Sequence, residues 1–275
     1  MKTMRTPPCR TFFRVGSLGL FFHGFFSLLV FATVARSANP SSPPALSVAA
    51  AANLVYALEV LNAAFHETAP DVKLTVATGA SGNLVAQIRH GAPFDVFLSA
   101  DLDYPRALID SGHADAASLT IFATGRLVLW TARPNVPLDS LADTVRSDRV
   151  RKLAIAHLET APYGRAARET LEQLGAWADV QPKIVIGENI TQTAQFVETG
   201  NADAGFVALS LVLSPKLKDR GRWIEVPAAF HAPLDQGAVV TRHGAANPAA
   251  TRYLAFLRSA PAREIFARYG YSTPK

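Results

Sequence analysis

The chain has 275 residues, 49% of them apolar and 18% charged, with a formal net charge of +5 and a single cysteine. That length supports one large or two small domains around a proper hydrophobic core, and no low-complexity tract interrupts it. Five of the 27 Lys and Arg fall in residues 1–38 with none of the 22 Asp and Glu, so the remainder carries 22 side chains of each sign, which excludes a basic footprint for nucleic acid or an anionic membrane surface.

Residues 1–38 read differently from the rest. Lys2, Arg5, Arg10 and Arg14 precede an apolar run from Val15 to Val34, followed by small residues at Ala35, Ser37 and Ala38 and a Pro/Ser-rich stretch from Asn39. Basic, then apolar, then small is the order of a cleaved secretory signal peptide. An uncleaved anchor is the competing reading, because the run is about as long as a membrane span. No cysteine follows the run, so a lipoprotein anchor is not expected. Cys9 lies within the leader, which leaves the mature chain without a disulfide, a thiol nucleophile or a Cys-based zinc site.

In chain order, Leu46–Ala51 reads as a buried strand, and Asn53 opens a helix through about Glu67 with Leu54, Leu58, Leu61 and Phe65 on one stripe. Val72–Ala77 is the next strand. Gly79-Ala-Ser-Gly82 is a tight turn into a helix ended by Gly91, and Asp95–Ser99 is a third strand with a helix after Asp101. Arg126–Thr131 and Lys152–His157 read as strands, and Ala161-Pro-Tyr-Gly164 leads a helix that stops at Gly175. A short helix from Ile190 to Thr199, a buried strand at Ala204–Leu209, a strand from Gly237 and two helices around Pro261 complete the chain. Strands separated by helices of roughly ten residues predict an α/β fold of βαβ units with mostly parallel sheet.

Ligands of open α/β sheets sit beyond the carboxyl ends of strands, where helix N-termini offer unpaired N–H groups and a partial positive charge. Four such junctions carry short polar residues. At Ala51-Ala52-Asn53, the asparagine can cap the helix or turn its amide towards a ligand. At Gly79-Ala-Ser81-Gly82, the serine can cap a turn or offer its O–H and N–H to a ligand. At Ala161-Pro-Tyr163-Gly164, proline suits a helix start, and the tyrosine can donate its hydroxyl or simply pack. At Gly187-Glu-Asn-Ile190, the Ile190 N–H points from a helix start. None of these turns contains Arg or Lys. Together they suggest a dehydrated anion held by neutral dipoles, which can offset burial if every oxygen is satisfied.

With these turns placed, the chain resembles the periplasmic molybdate-binding proteins (ModA-type) of molybdate ABC importers. The resemblance runs from about Leu46 to Tyr271. It is carried by AAANL (50–54), GASGNLVAQIRHGAPFDVFLSAD (79–101), RLVLW (126–130), APYG (161–164), GFVALS (205–210) and REIFARYGY (263–271). It implies a two-lobed type II periplasmic-binding-protein fold with mixed sheets flanked by helices and the cleft between the lobes. The expected division is 42–124 plus 236–275 for the first lobe and 125–235 for the second. It also implies a periplasmic monomer that binds molybdate or tungstate as cargo, without a cofactor, and passes it to ABC permease subunits. The positions it marks as contacts are Ala52, Asn53, Ser81, Tyr163 and Ile190, with backbone N–H roles at Asn53 and Ile190, all meeting the oxygens and not the metal. Asn53 stands where many members have Ser, and Ala208 where many have a ligand-contacting Tyr, so Tyr163 is expected to supply that hydroxyl from another turn.

Two other classes compete. The same fold serves other oxyanions such as sulfate or phosphate, or a carboxylate, which often draws an Arg clamp absent from these turns. An enzyme is disfavoured: the porphyrin-pathway deaminase that shares the fold needs a cofactor-bearing Cys. The histidines, among them His66, His90, His113 and His231, lack metal-ligand spacing, and His157 reads as structural. Asp101 is expected to cap the helix that follows it.

Overall fold

A computed structural model describes residues 45–274, so the expected leader at 1–38 lies outside the described residues. The first strand, β1 (Ala45–Ala51), is central, and its Ala49, Ala50 and Ala51 are buried. Small side chains there let helices cover both faces, as a central parallel strand requires. A 3-10 turn, Ala52–Leu54, runs into α1 (Val55–Thr68), which buries Leu58, Leu61 and Phe65. Phe65 meets Tyr253 edge-on with ring centroids 5.0 Å apart. Next come β2 (Lys73–Gly79), α2 (Ser81–Arg89), β3 (Val96–Leu98), α3 (Asp103–Asp110) and β4 (Thr120–Thr124).

After Gly125 and Arg126 the chain builds a second sheet. Its elements are β5 (Leu127–Thr131), α4 (Leu141–Arg146), β6 (Leu153–Ala156), α5 (Pro162–Gln173), α6 (Trp177–Val180), β7 (Ile184–Gly187), α7 (Ile190–Glu198), β8 (Ala204–Ala208), α8 (Leu209–Val212) and β9 (Arg222–Glu225). The chain then returns to the first sheet with β10 (Asp235–Val240) and ends on α9 (Pro248–Leu257) and α10 (Ala260–Arg268).

The sheets have orders β2-β1-β3-β10-β4 and β7-β6-β8-β5-β9. Both are mixed, as the family resemblance implies, whereas the strand–helix alternation alone predicted mostly parallel pairing. β1 runs parallel to β2 and β3, and β6 to β7 and β8, but β10 and β5 oppose both of their neighbours. The two exceptions are the strands by which the chain arrives from the other sheet. A chain that crosses over enters the new sheet from the opposite end, so its strand runs against those already there. None of the described helices is long and apolar enough to cross a membrane.

Register positions the site. β1 and β2 pair from Ala45↔Lys73 to Ala51↔Gly79, and β3 joins with Ala50↔Leu98. The carboxyl ends of these strands therefore finish level, and the turns at 52–53, 80–81 and 99–100 leave the sheet side by side. The second sheet repeats the arrangement: Ala156 is level with Gly187 at the ends of β6 and β7, just before the starts of α5 and α7.

Candidate functional site

These turns line one small cavity of about 10 Å³, bounded by Ala51, Ala52, Asn53, Gly79, Ala80, Ser81, Ala100, Ala161, Pro162, Tyr163, Asn189 and Ile190. It is far smaller than the roughly 300 Å³ at which sites for drug-sized ligands begin, which leaves room only for a species of a few atoms. All five residues singled out from the sequence, Ala52, Asn53, Ser81, Tyr163 and Ile190, lie in its wall. Ser81 and Ile190 are the first residues of α2 and α7, Tyr163 is the second of α5, and Ala52 and Asn53 open the turn that becomes α1. First-turn N–H groups have no carbonyl to meet within their own helix. Four helices thus direct their positive ends at one space, and no Lys, Arg, Asp, Glu or His lines it.

The side chains divide into those that face the cavity and those that brace it. Ser81 is buried and is not a cap; its Oγ accepts the Ala100 N–H at 3.2 Å, which leaves the hydroxyl proton free to donate. Asn53 caps nothing either. Its Nδ2 donates to Gln236 Oε1 at 2.8 Å and to Tyr271 Oη at 2.9 Å. Gln236 in turn donates through Nε2 to the carbonyls of Leu234 and Ala100, which fixes the orientation of both amides. The Asn53 amide nitrogen is therefore spent on the core behind the cavity, its Oδ1 is buried without a partner, and its backbone N–H remains for a ligand. Asn189 caps α7, accepting from Thr191 N and Gln192 N at 3.0 Å each, and so presents the Ile190 N–H.

Tyr163 is fully enclosed, and burial pushes its phenol well above the usual range. Neither its Oη nor Asn53 Oδ1 has a hydrogen-bond partner of ordinary geometry among the described residues, although the Asn53 side chain lies close enough to oppose the rise. It lies against Gly125 and near Gln236, neither of which lines the cavity. Ala208 ends β8 and is likewise absent from the wall.

The family of bacterial extracellular solute-binding proteins matches residues 46–272. This chain belongs to that family. It is 39% identical to a molybdate-binding protein ModA from Rhodobacter capsulatus, over 88% of this chain and 94% of that one. A molybdate-binding protein ModA from Azotobacter vinelandii is 37% identical over 82% of this chain and 89% of its own. Among solved structures, the Azotobacter vinelandii periplasmic molybdate-binding protein superposes with a TM-score of 0.79 at 32% identity, covering 84% of this chain and all of that one. A sulfate-binding protein from Mycobacterium tuberculosis, at 14% identity and a TM-score of 0.71, shares the fold.

In this solute-binding protein the two sheets, with their helices, are clasped around the cavity. Gly82 N donates to Thr160 O at 2.9 Å, Thr191 Oγ1 to Ala52 O at 2.9 Å and Ser210 Oγ to Asn53 O at 2.8 Å. Gly82 permits this approach, since a Cβ there would sit 2.7 Å from Tyr104 Oη and 3.0 Å from Thr160 Cα. Outside the wall, Arg165 pairs with Asp101, which also accepts the Tyr104 N–H at 3.2 Å and so caps α3 as expected. Burial raises the Asp101 carboxyl above its ordinary value, although the Arg165 guanidinium pulls the other way. The nearest arginine after the Ala161–Gly164 turn is thus already engaged. The sequence reading missed Thr191, Ser210, Gln236 and Tyr271. Gln236, an amide inside an otherwise apolar strand, was the one local signal.

Proposed function

We propose that this protein captures molybdate, with tungstate as an equivalent cargo, and delivers it to the permease subunits of an ABC importer. The observation that carries the reading is a small cavity without side-chain charge, walled by four helix starts whose N–H groups converge. Molybdate is a compact tetrahedral dianion whose four oxygens only accept hydrogen bonds, and the helix starts in the wall supply N–H donors. Helix-start N–H groups favour negative charge without the desolvation cost of a buried Lys or Arg. Relatives bearing the name molybdate-binding protein, at 37–39% identity over most of the chain, support the same cargo.

The roles assigned are as follows. Ala52, Asn53, Tyr163 and Ile190 offer main-chain N–H groups, and Ser81 offers both its N–H and its hydroxyl. The ion is cargo, held through its oxygens, and no cofactor or catalytic step is assigned. Residues 42–124 with 236–275 form one lobe and 125–235 the other. Residues 1–38 serve as a cleaved export signal, and the mature protein works as a periplasmic monomer.

Calorimetry on the purified protein tests the cargo. Molybdate and tungstate should both bind tightly, with sulfate and phosphate at least about a thousandfold weaker, a gap of roughly 4 kcal/mol. Sulfate binding as strong as molybdate would overturn the assignment.

A further inference from the structure

Two successive peptide groups after β1 are held from behind. The carbonyl of Ala52 accepts the Thr191 hydroxyl at 2.9 Å, and the same peptide unit carries the Asn53 N–H in the cavity wall. The carbonyl of Asn53 accepts from Ser210 Oγ at 2.8 Å and Tyr271 Oη at 3.0 Å. Thr191 and Ser210 stand on α7 and α8, beside the second sheet, whereas the peptide they grip leaves the end of β1 in the first. A hydrogen bond accepted at a peptide oxygen draws electron density towards it and makes the N–H of that peptide a stronger donor.

We infer that Thr191 is a positioning residue that couples closure of the protein to its grip on the anion. Its hydroxyl reaches Ala52 O when the second sheet's side is seated over the first, and from there it strengthens and aims the Asn53 N–H. The inference rests on the reading that this N–H meets the oxyanion. Local geometry supports it. Thr191 follows Ile190, which is itself in the wall, and the Thr191 N–H is tied to Asn189 Oδ1 at 3.0 Å. The residue that closes the clasp is therefore anchored beside a second donor for the same ligand. Without Thr191 the Ala52 carbonyl keeps the Val55 N–H that holds it in place but loses its second, side-chain donor.

The test uses molybdate as the probe on the purified protein and its Thr191→Val, Thr191→Ala and Thr191→Ser variants. Removing the hydroxyl should raise Kd about three- to tenfold, the size of one net hydrogen bond. The change should lie in faster dissociation, read by stopped-flow. Thr191→Ser should restore Kd to within about twofold. Thr191→Val or Thr191→Ala binding as tightly as the unaltered protein would overturn the inference, as would Thr191→Ser behaving like Thr191→Val. Failure of the unaltered protein to bind molybdate would sink the functional reading itself, and this coupling with it.

Discussion

The phenolic oxygen of Tyr163 occupies the space that a methyl group on Gly125 would need: a Cβ at Gly125 would lie 2.2 Å from Tyr163 Oη and 2.9 Å from Gln236 Nε2. Gly125 sits where the chain leaves β4 for the second sheet, and its N–H donates to Leu234 O at 2.8 Å, on the returning segment. Gly125→Ala must therefore push aside the ring whose backbone opens α5. We expect a stability loss of about 1–3 kcal/mol, the usual cost of overpacking, together with weaker molybdate binding. Urea unfolding and calorimetry on the same variant check both, and unchanged values in each would show that the ring moves freely.

Ser81→Ala removes a hydroxyl that accepts from Ala100 N and has a proton to give. A lost hydrogen bond to a charged group costs about 1.5–3 kcal/mol, so affinity should fall about ten- to a hundredfold. An unchanged dissociation constant would remove Ser81 from the site.

Tyr163→Phe separates the two ways in which this residue could serve. Its hydroxyl lies against Gly125 and beside the Asn53 side chain without an ordinary hydrogen bond, and the residue lines the cavity. Kd for molybdate should stay within about threefold, and stability should hold or rise, since an unsatisfied buried hydroxyl is a cost. A loss of tenfold or more would place the hydroxyl on the ion, as the substitution at Ala208 led the sequence reading to expect.

No carboxylate, His, Lys or Arg lines the cavity, so molybdate affinity should be flat between about pH 6 and pH 9 by titration calorimetry. Stability behaves differently at the alkaline end. Burial raises the phenols of Tyr163, Tyr253 and Tyr271 above their ordinary value of 10.0. The unfolded chain releases these protons first, so the folded state binds more of them and stability falls as pH climbs past 10. Tyr253→Phe, remote from the cavity, should make the decline in Tm above pH 10 shallower. A profile identical to that of the unaltered protein would exclude Tyr253 as a contributor.

The α/β alternation was legible because its signals are local. Gly91 and Gly175 end helices, Pro162 begins one, and β1 and β8 are short runs of small or apolar residues buried in the middle of sheets. The five wall residues singled out were legible because each stands at a helix start marked by short polar or small residues, and the family resemblance picked them out as contacts. β4, β7 and β9 were not seen. They are edge strands of four or five residues whose apolar side chains are partly exposed, such as Ile186 at 49% and Trp223 at 41%, and they show no clean alternation. Strand direction was also hidden, since it follows from where the chain crosses between sheets. The braces behind the wall were invisible because their partners lie far off in sequence, 139 residues for Thr191 with Ala52 and 218 for Tyr271 with Asn53.

The cavity's donors belong mainly to the main chain, and every amino acid except proline carries an N–H. Genetic drift can therefore replace nearly every side chain lining the cavity without deleting a main-chain donor; what must be inherited is the path of the backbone. Proline introduced at Asn53 or Ile190 would be the rare single-codon change that silences one contact outright.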